Sequence, residues 1–274
     1  MKTDFRRDAK ILIWDAEISP RLGYYYGAYE VTPIKEVRPP ILLSIAWKWL
    51  GDKKANCLTL YDRPTVDSYN DKLLVNELWN LLDEAEIVVG FNNKRFDDKM
   101  ANYFFVKHGM TPPSPYKEVD VMQNAKKYFK FDCNKLDYLG KLLVDGGKTK
   151  ETYVDFWEDL LEGNRKERKK ASEGMKKYNI EDVLVTERLY NKLLPWMTNH
   201  PNIALYAEQE HICPRCGNDS EFSVKSYRRT GMQINAIQYQ CKNCGAYVTR
   251  KLSKEERDEL REQGRLTSVF RNVV

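Results

Sequence analysis

Asp15 and Glu17 stand one residue apart where the apolar run Ile11-Leu12-Ile13-Trp14 gives way to acid. The run reads as a buried strand over residues 10–15, and alternate side chains of a strand share a face, so the two carboxylates project together. Carboxylates held side by side repel each other, and a divalent cation relieves the repulsion, which makes the pair a candidate metal site. Taken alone, the pair fits a plainer reading better: a strand end that faces water. Asp97 follows a second apolar strand, residues 86–91, through Phe91-Asn92-Asn93-Lys94-Arg95-Phe96. Asp182 lies four residues after Tyr178, so both fall on one face of a helix, where a tyrosine one turn from an acid can hold a water against whatever that acid binds.

A second set of residues carries different chemistry. Cys213-Pro214-Arg215-Cys216-Gly217 and Cys241-Lys242-Asn243-Cys244-Gly245 are paired Cys-x-x-Cys turns with 24 residues between them. Glycine after each pair lets the backbone turn so that its amides face the thiolates. Four thiolates in a tetrahedron form a closed, structural Zn²⁺ site, and the strand-like stretches 221–224 and 238–240 between the turns give it the look of a zinc ribbon. His211 reads as an incidental surface residue, while Cys57 and Cys133 stand alone. Without an export signal, this cysteine usage favours metal binding over a disulfide framework.

The elements that position these groups follow from periodicity and breakers. Residues 41–49 and 56–61 read as strands joined by a turn at Gly51-Asp52-Lys53-Lys54, after an aromatic excursion that contains Tyr24, Tyr25 and Tyr26. Helical spacing runs from Val66 to Glu84, with Asp67 or Ser68 available as N-cap. Helices are also expected over 119–129, 135–144 and 151–162, and residues 178–196 are apolar at Ile180, Val183, Leu184, Leu189 and Leu193. Three strands, then a helix, a strand and a helical second half imply an α/β fold with a mixed sheet flanked by helices. The division expected is a domain over 1–200, a zinc ribbon over 207–252 and a charged helix or tail over 253–274, opened by Ser253 with Glu256 three residues on.

Composition excludes other classes. The chain has 274 residues, a formal charge of +5 and 42% hydrophobic residues, which suits a soluble globular protein with a real core. No window approaches the apolar length of a membrane span and no signal peptide opens the chain, so a cytoplasmic location is expected. Residues 211–252 hold seven Lys or Arg against two acids, a local basic surface that suits a polyanion.

Taken in order, the acidic segments resemble the three motifs of the DEDD superfamily of 3′→5′ exonucleases, the DnaQ-like branch of the RNase H-like fold. Asp15-x-Glu17 matches the first motif, and Asn92-x-x-x-Phe96-Asp97 matches the second as found in proofreading domains of family B DNA polymerases. Tyr178-x-x-x-Asp182 matches the third in its tyrosine (DEDDy) form; the histidine form would need His at position 177, which is Lys. Val119-Asp120-Val121-Met122 and residues 135–149 are also similar, and the resemblance covers about residues 8–196. It implies a two-metal phosphodiesterase. Asp15, Glu17 and Asp182 would hold one Mg²⁺ or Mn²⁺ at the attacking water. Asp15 would be shared with a second ion near Asp97, at the leaving 3′ oxygen, and Tyr178 would orient the water. The expected reaction is 3′→5′ exonucleolytic hydrolysis, with single-stranded DNA preferred and RNA as an alternative.

An unstacked 3′ end calls for aromatic platforms and amide contacts, for which Phe91, Asn92 and Phe96 are candidates, although Phe96 reads first as core. The tyrosines at 24–26 either stack bases or cover the sheet edge. Lys148, Arg228 and Arg229 are candidate phosphate contacts. The ribbon serves either nucleic acid or a replication or repair protein. Two other readings stand beside the exonuclease: a nucleic-acid-binding adaptor with a vestigial site, and a structure-specific nuclease on the same fold.

Overall fold

β-branched and leucine-rich runs at residues 11–18, 42–49 and 87–90 bury themselves on both faces, and the central sheet grows from them. A computed structural model describes residues 6, 8–27, 29, 32–62, 69–146, 154–207, 212–219, 221–230 and 233–263. They fall into two compact units, one of the described residues within 10–193 and one of those within 1–9 and 194–274.

In the larger unit, β1 (Ile11–Ile18) is the middle of a five-stranded sheet whose order is β5-β4-β1-β6-β7. β4 (Leu42–Trp49) and β5 (Asn56–Thr59) run antiparallel on one side, with Glu17 opposite Ser44 and Ser44 opposite Thr59. β6 (Ile87–Gly90) and β7 (Lys117–Asp120) run parallel on the other, with Gly90 opposite Asp120. β1 therefore extends three residues past its expected end, and both acids sit inside the strand rather than at its tip. The aromatic excursion folds as a separate two-stranded ribbon, β2 (Leu22–Tyr24) with β3 (Lys35–Arg38).

Alternation along β1 decides what lies on each side. Leu12, Trp14, Ala16 and Ile18 join one core cluster with Leu74, Leu78 and Leu82 of α1 (Lys72–Glu84) and with Phe104 and Phe105 of α2 (Asp97–Lys107). Asp15 and Glu17 take the other face, only half-buried between buried neighbours. Among the described residues helix α1 runs from Lys72 after an N-cap at Asp71; the expected start at Val66 and the proposed caps Asp67 and Ser68 lie outside the described residues.

Three more helices follow β7: α3 (Val121–Tyr128), α4 (Leu136–Leu143) and α5 (Val154–Glu162). β7 went unread because a four-residue edge strand runs directly into α3, and helical spacing covers both. The last helix of this unit, α6 (Arg165–Leu193), is 29 residues long. At 1.5 Å per residue it spans roughly 43 Å, and its buried positions include Ser172, Met175, Asn179, Asp182, Thr186, Leu189 and Leu193, a stripe at spacings of three and four. Gly174 leaves room for the ring of Phe156 from α5, where a Cβ would collide.

In the second unit, β8 (Phe222–Thr230), β9 (Gln233–Cys241) and β10 (Tyr247–Lys251) form an antiparallel sheet in the order β10-β9-β8. A capping box at Ser253 and Glu256 opens α7 (Lys254–Glu262), as its sequence predicts.

Candidate active site

α6 lies across the face of β1 that carries the acids, and its register brings Asp182 to them. Carboxylate oxygens of Asp15, Glu17 and Asp182 all lie within 4.8 Å of one another. Asp182 is 4% exposed, and Tyr178, one turn earlier on the same face, is 7% exposed. The two residues nearest in sequence contribute from a strand, and the third arrives from a helix more than 160 residues later. Three carboxylates packed so closely are hard oxygen donors whose mutual repulsion favours a divalent cation such as Mg²⁺ or Mn²⁺.

Asp97 does not join that group. It is buried at the start of α2, and burial pushes its carboxyl up to about 7, with the charge of Asp120 adding to the effect. Asp98 beside it rises to about 9, again through burial and then through its bond to Glu118. Asp97, Asp98, Glu118 and Asp120 thus form a crowded acidic edge where α2 meets β7. Sequence reasoning assigned only Asp97 from this edge.

The segment between β6 and Asp97 is held by Asp120. Its Oδ1 accepts the backbone N–H of Asn92 at 3.2 Å and that of Gln123 at 2.9 Å, so one carboxylate both fixes the loop and caps α3. Asn92 has a left-handed backbone, φ 70°, and its Oδ1 is buried without a partner among the described residues. Phe91 is half-buried. Phe96 is 51% exposed, which overturns its assignment to the core. Its place at the N-cap explains this: with φ −124° and ψ −73° Phe96 is off the helical path and does not follow Ala101, Phe104 and Phe105 into the core. An apolar cleft of about 520 Å³ opens beside it, lined by Ile18, Pro20, Pro40, Phe96, Met100 and Trp157. The cleft takes Ile18 from the end of β1 and Phe96 from the start of α2. Tyr24, Tyr25 and Tyr26 are exposed on and beside the β2–β3 ribbon.

Two positions of the site carried no assignment in the sequence. Asn179 is fully buried and donates from Nδ2 to Asp15 Oδ2 at 2.6 Å. Trp157 lines the cleft. The signal available for Asn179 was its place on α6: an amide four residues from both Met175 and Val183, which are core, has no business on that stripe unless something polar faces it.

In the second unit, sulfur atoms of Cys213, Cys216, Cys241 and Cys244 lie within 4.8 Å of one another. The two turns are built alike. Gly217 and Gly245 take φ of 59° and 76°, and their N–H groups bond back to the carbonyls of Cys213 and Cys241. Asn243 Nδ2 points at Cys216 Sγ from 3.6 Å. A soft four-sulfur donor set of this shape fits Zn²⁺. Arg228 is exposed on β8 and bonds Gln238 Oε1 at 2.7 Å. Arg229 lies in the same strand; Lys148 and His211 lie outside the described residues.

A mixed five-stranded sheet with its middle strand bearing two acids, crossed by a helix that supplies a third, defines an RNase H-like α/β domain. Comparison with family models agrees: the model described as RNase_H superfamily matches residues 45–194, more than half of the chain, and the chain belongs to that superfamily. The matched segment holds Asp97, Tyr178 and Asp182 and begins after β1. This membership makes a nucleic-acid-processing nuclease the class to which the domain belongs. No relative is matched among curated proteins. No helix among the described residues is long and apolar enough to cross a membrane.

Proposed function

We propose that this chain is a metal-dependent 3′→5′ exonuclease of the DEDDy type, acting on nucleic-acid 3′ ends with single-stranded DNA preferred. The observation that carries the reading is the convergence of carboxylate oxygens of Asp15, Glu17 and Asp182 within 4.8 Å, with Tyr178 one helical turn before Asp182 on α6. The oxygen donors suit Mg²⁺ or Mn²⁺, which when bound activate water and neutralise charge at the scissile phosphate. Asp15, Glu17 and Asp182 would hold one ion, and the motif resemblance implies that Asp97 with Asp15 would hold a second.

The chain's own residues supply the rest. Tyr178 sits one turn from Asp182 and presents a hydroxyl that can orient a water toward the acids. Phe96, on the rim of an apolar cleft, offers a ring on which an unstacked terminal base can lie, and Asn92 offers a buried amide oxygen with no protein partner among the described residues. That combination suits single strands, because stacking tolerates any base and needs no duplex. In the second unit, Cys213, Cys216, Cys241 and Cys244 would hold a structural Zn²⁺, and Arg228 and Arg229 of β8 would contact phosphate. The 3′→5′ polarity rests on the motif resemblance.

The deciding experiment compares 3′-labelled with 5′-labelled oligonucleotides, as DNA and RNA, single and double stranded, with Mg²⁺ or Mn²⁺ present. Early release of labelled mononucleotide from the 3′ label, with a shortening ladder from the 5′ label, is expected. Asp15→Ala should abolish both without changing the zinc content. Internal cuts, or full activity in Asp15→Ala, would overturn the proposal.

A further inference from the structure

A fully buried primary amide is costly unless both its ends are satisfied. Asn179 meets that demand with two groups. Its Oδ1 accepts from Ser44 Oγ at 3.1 Å, and its Nδ2 donates to Asp15 Oδ2 at 2.6 Å. Ser44 is itself fully buried and lies opposite Glu17 in the β1–β4 pairing. Cys57 Sγ, from the adjacent β5, approaches the same Oδ1 at 3.9 Å. The direction of the amide follows from chemistry. An ionised carboxylate only accepts, so the NH₂ end must face Asp15, and the oxygen is then left to face Ser44, whose hydroxyl can donate. A flipped amide would set oxygen against carboxylate.

We infer that Asn179 is a positioning residue for Asp15: the Ser44–Asn179 pair clamps one carboxylate oxygen and so fixes the plane in which Asp15 meets its cation. The inference rests on the reading of Asp15 as a metal ligand. It also gives α6 a double role, since Asn179 and Asp182 lie three residues apart on one face and the same helix supplies both a ligand and the strut for another. The competing role is plain packing of α6 on the sheet. Lys48 with Glu187, and Thr59 Oγ1 with Ser172 Oγ at 2.7 Å, already tie that helix to β4 and β5 on either side of Asn179. The helix is thus anchored without Asn179, which leaves the bond to Asp15 as its distinctive contact.

The test is Mn²⁺ binding by calorimetry and electron paramagnetic resonance on the intact protein, with Asn179→Ala, Ser44→Ala and Asp15→Ala side by side. Loss of an outer partner of a ligand typically weakens metal binding about 10–100-fold, so Asn179→Ala should bind Mn²⁺ that much more weakly. Its nuclease rate should recover as Mn²⁺ is raised, whereas Asp15→Ala should not recover at any concentration. A folded Asn179→Ala protein with wild-type Mn²⁺ affinity would overturn the inference. So would a weakened variant that added metal does not rescue, because that is a lesion of packing. Should Asn179→Ala not fold, Ser44→Ala carries the test: it keeps the amide and removes the hydroxyl that orients it, so a several-fold loss of Mn²⁺ affinity is expected and unchanged affinity overturns the inference. If Asp15→Ala itself binds Mn²⁺ like wild type, the metal-site reading fails, an outcome distinct from failure at Asn179 alone.

Discussion

Asp120 accepts the backbone N–H of Asn92 at 3.2 Å, and through that one bond the start of α3 governs the loop that leads to Asp97. The bond joins neighbouring parallel strands at their C-terminal ends, since Gly90 and Asp120 are register partners. Asn92 needs such support, because φ of 70° is uncommon outside glycine.

Asp120→Ala should therefore act in two ways. Loss of the helix cap should cost about 1–2 kcal/mol in unfolding free energy. Freed from its anchor, the Asn92 loop should also lose order, so nuclease turnover should fall by more than Mn²⁺ affinity does. Amide exchange can check this directly: the N–H of Asn92 should exchange much faster in the variant, and unchanged protection would show that Asp120 does not hold the loop.

A different balance is expected at Phe96. Because its ring is 51% exposed, Phe96→Ala should leave stability within about 0.5 kcal/mol of wild type. A base–aromatic stack contributes about 1–3 kcal/mol, so the substrate concentration for half-maximal rate should rise roughly 5- to 150-fold for single strands. Trp157→Ala tests the other wall of the same cleft. If Phe96→Ala proved strongly destabilising with substrate affinity intact, Phe96 would be a core residue after all, as its sequence neighbourhood first suggests.

How much could be read from the chain differs by element for physical reasons. β1, β4 and β6 are nearly continuous apolar runs, and burial on both faces leaves a signal in each residue. The convergence of Asp15, Glu17 and Asp182 was legible as a set of motifs, while its geometry depends on α6 crossing β1. α6 itself was only half visible. Its first part, residues 165–177, is densely charged, and only Ala171, Ser172 and Met175 mark the buried stripe that joins it to the apolar second half. Asn179 was hidden because polarity on a buried stripe reads as noise until its partner is known. Phe96 was misplaced because an aromatic beside a buried acid looks like core, and its non-helical backbone at the N-cap of α2 is what leaves it exposed.

For the second unit, zinc is the expected determinant of folding. Beside the four cysteines, which lie within 4.8 Å of one another, the described part of the three-stranded sheet carries an apolar cluster of Ile234, Ile237 and Leu252 with Tyr239 and Leu260 packed on it. Small sheets draw limited stability from apolar burial, and structural Zn²⁺ sites supply folding energy outright. One zinc per chain should be measured by elemental analysis. Cys216→Ser should lose it and broaden the amide signals of residues 222–251, whereas Cys57→Ser should change neither. A ribbon that keeps its dispersed signals in strong chelator would show that apolar packing suffices.

His200 supplies a test by pH. Burial pulls its imidazole down to about 4, outweighing the bond between Nδ1 and the Pro201 carbonyl at 2.7 Å. The folded value lies below the ordinary 6.5, so folding favours the neutral ring. Its contribution is complete above pH 6.5 and is lost as pH falls toward 4, because the unfolded chain then binds the proton more readily. Urea unfolding of the second unit should show wild type losing stability relative to His200→Asn across that window, by about 1–3 kcal/mol in all. Protonation of the cysteine ligands affects both proteins alike and cancels in the difference. A difference that stays flat from pH 7 to 4 would mean that the ring titrates as it does in water and that its burial has no hold on the stability of this unit.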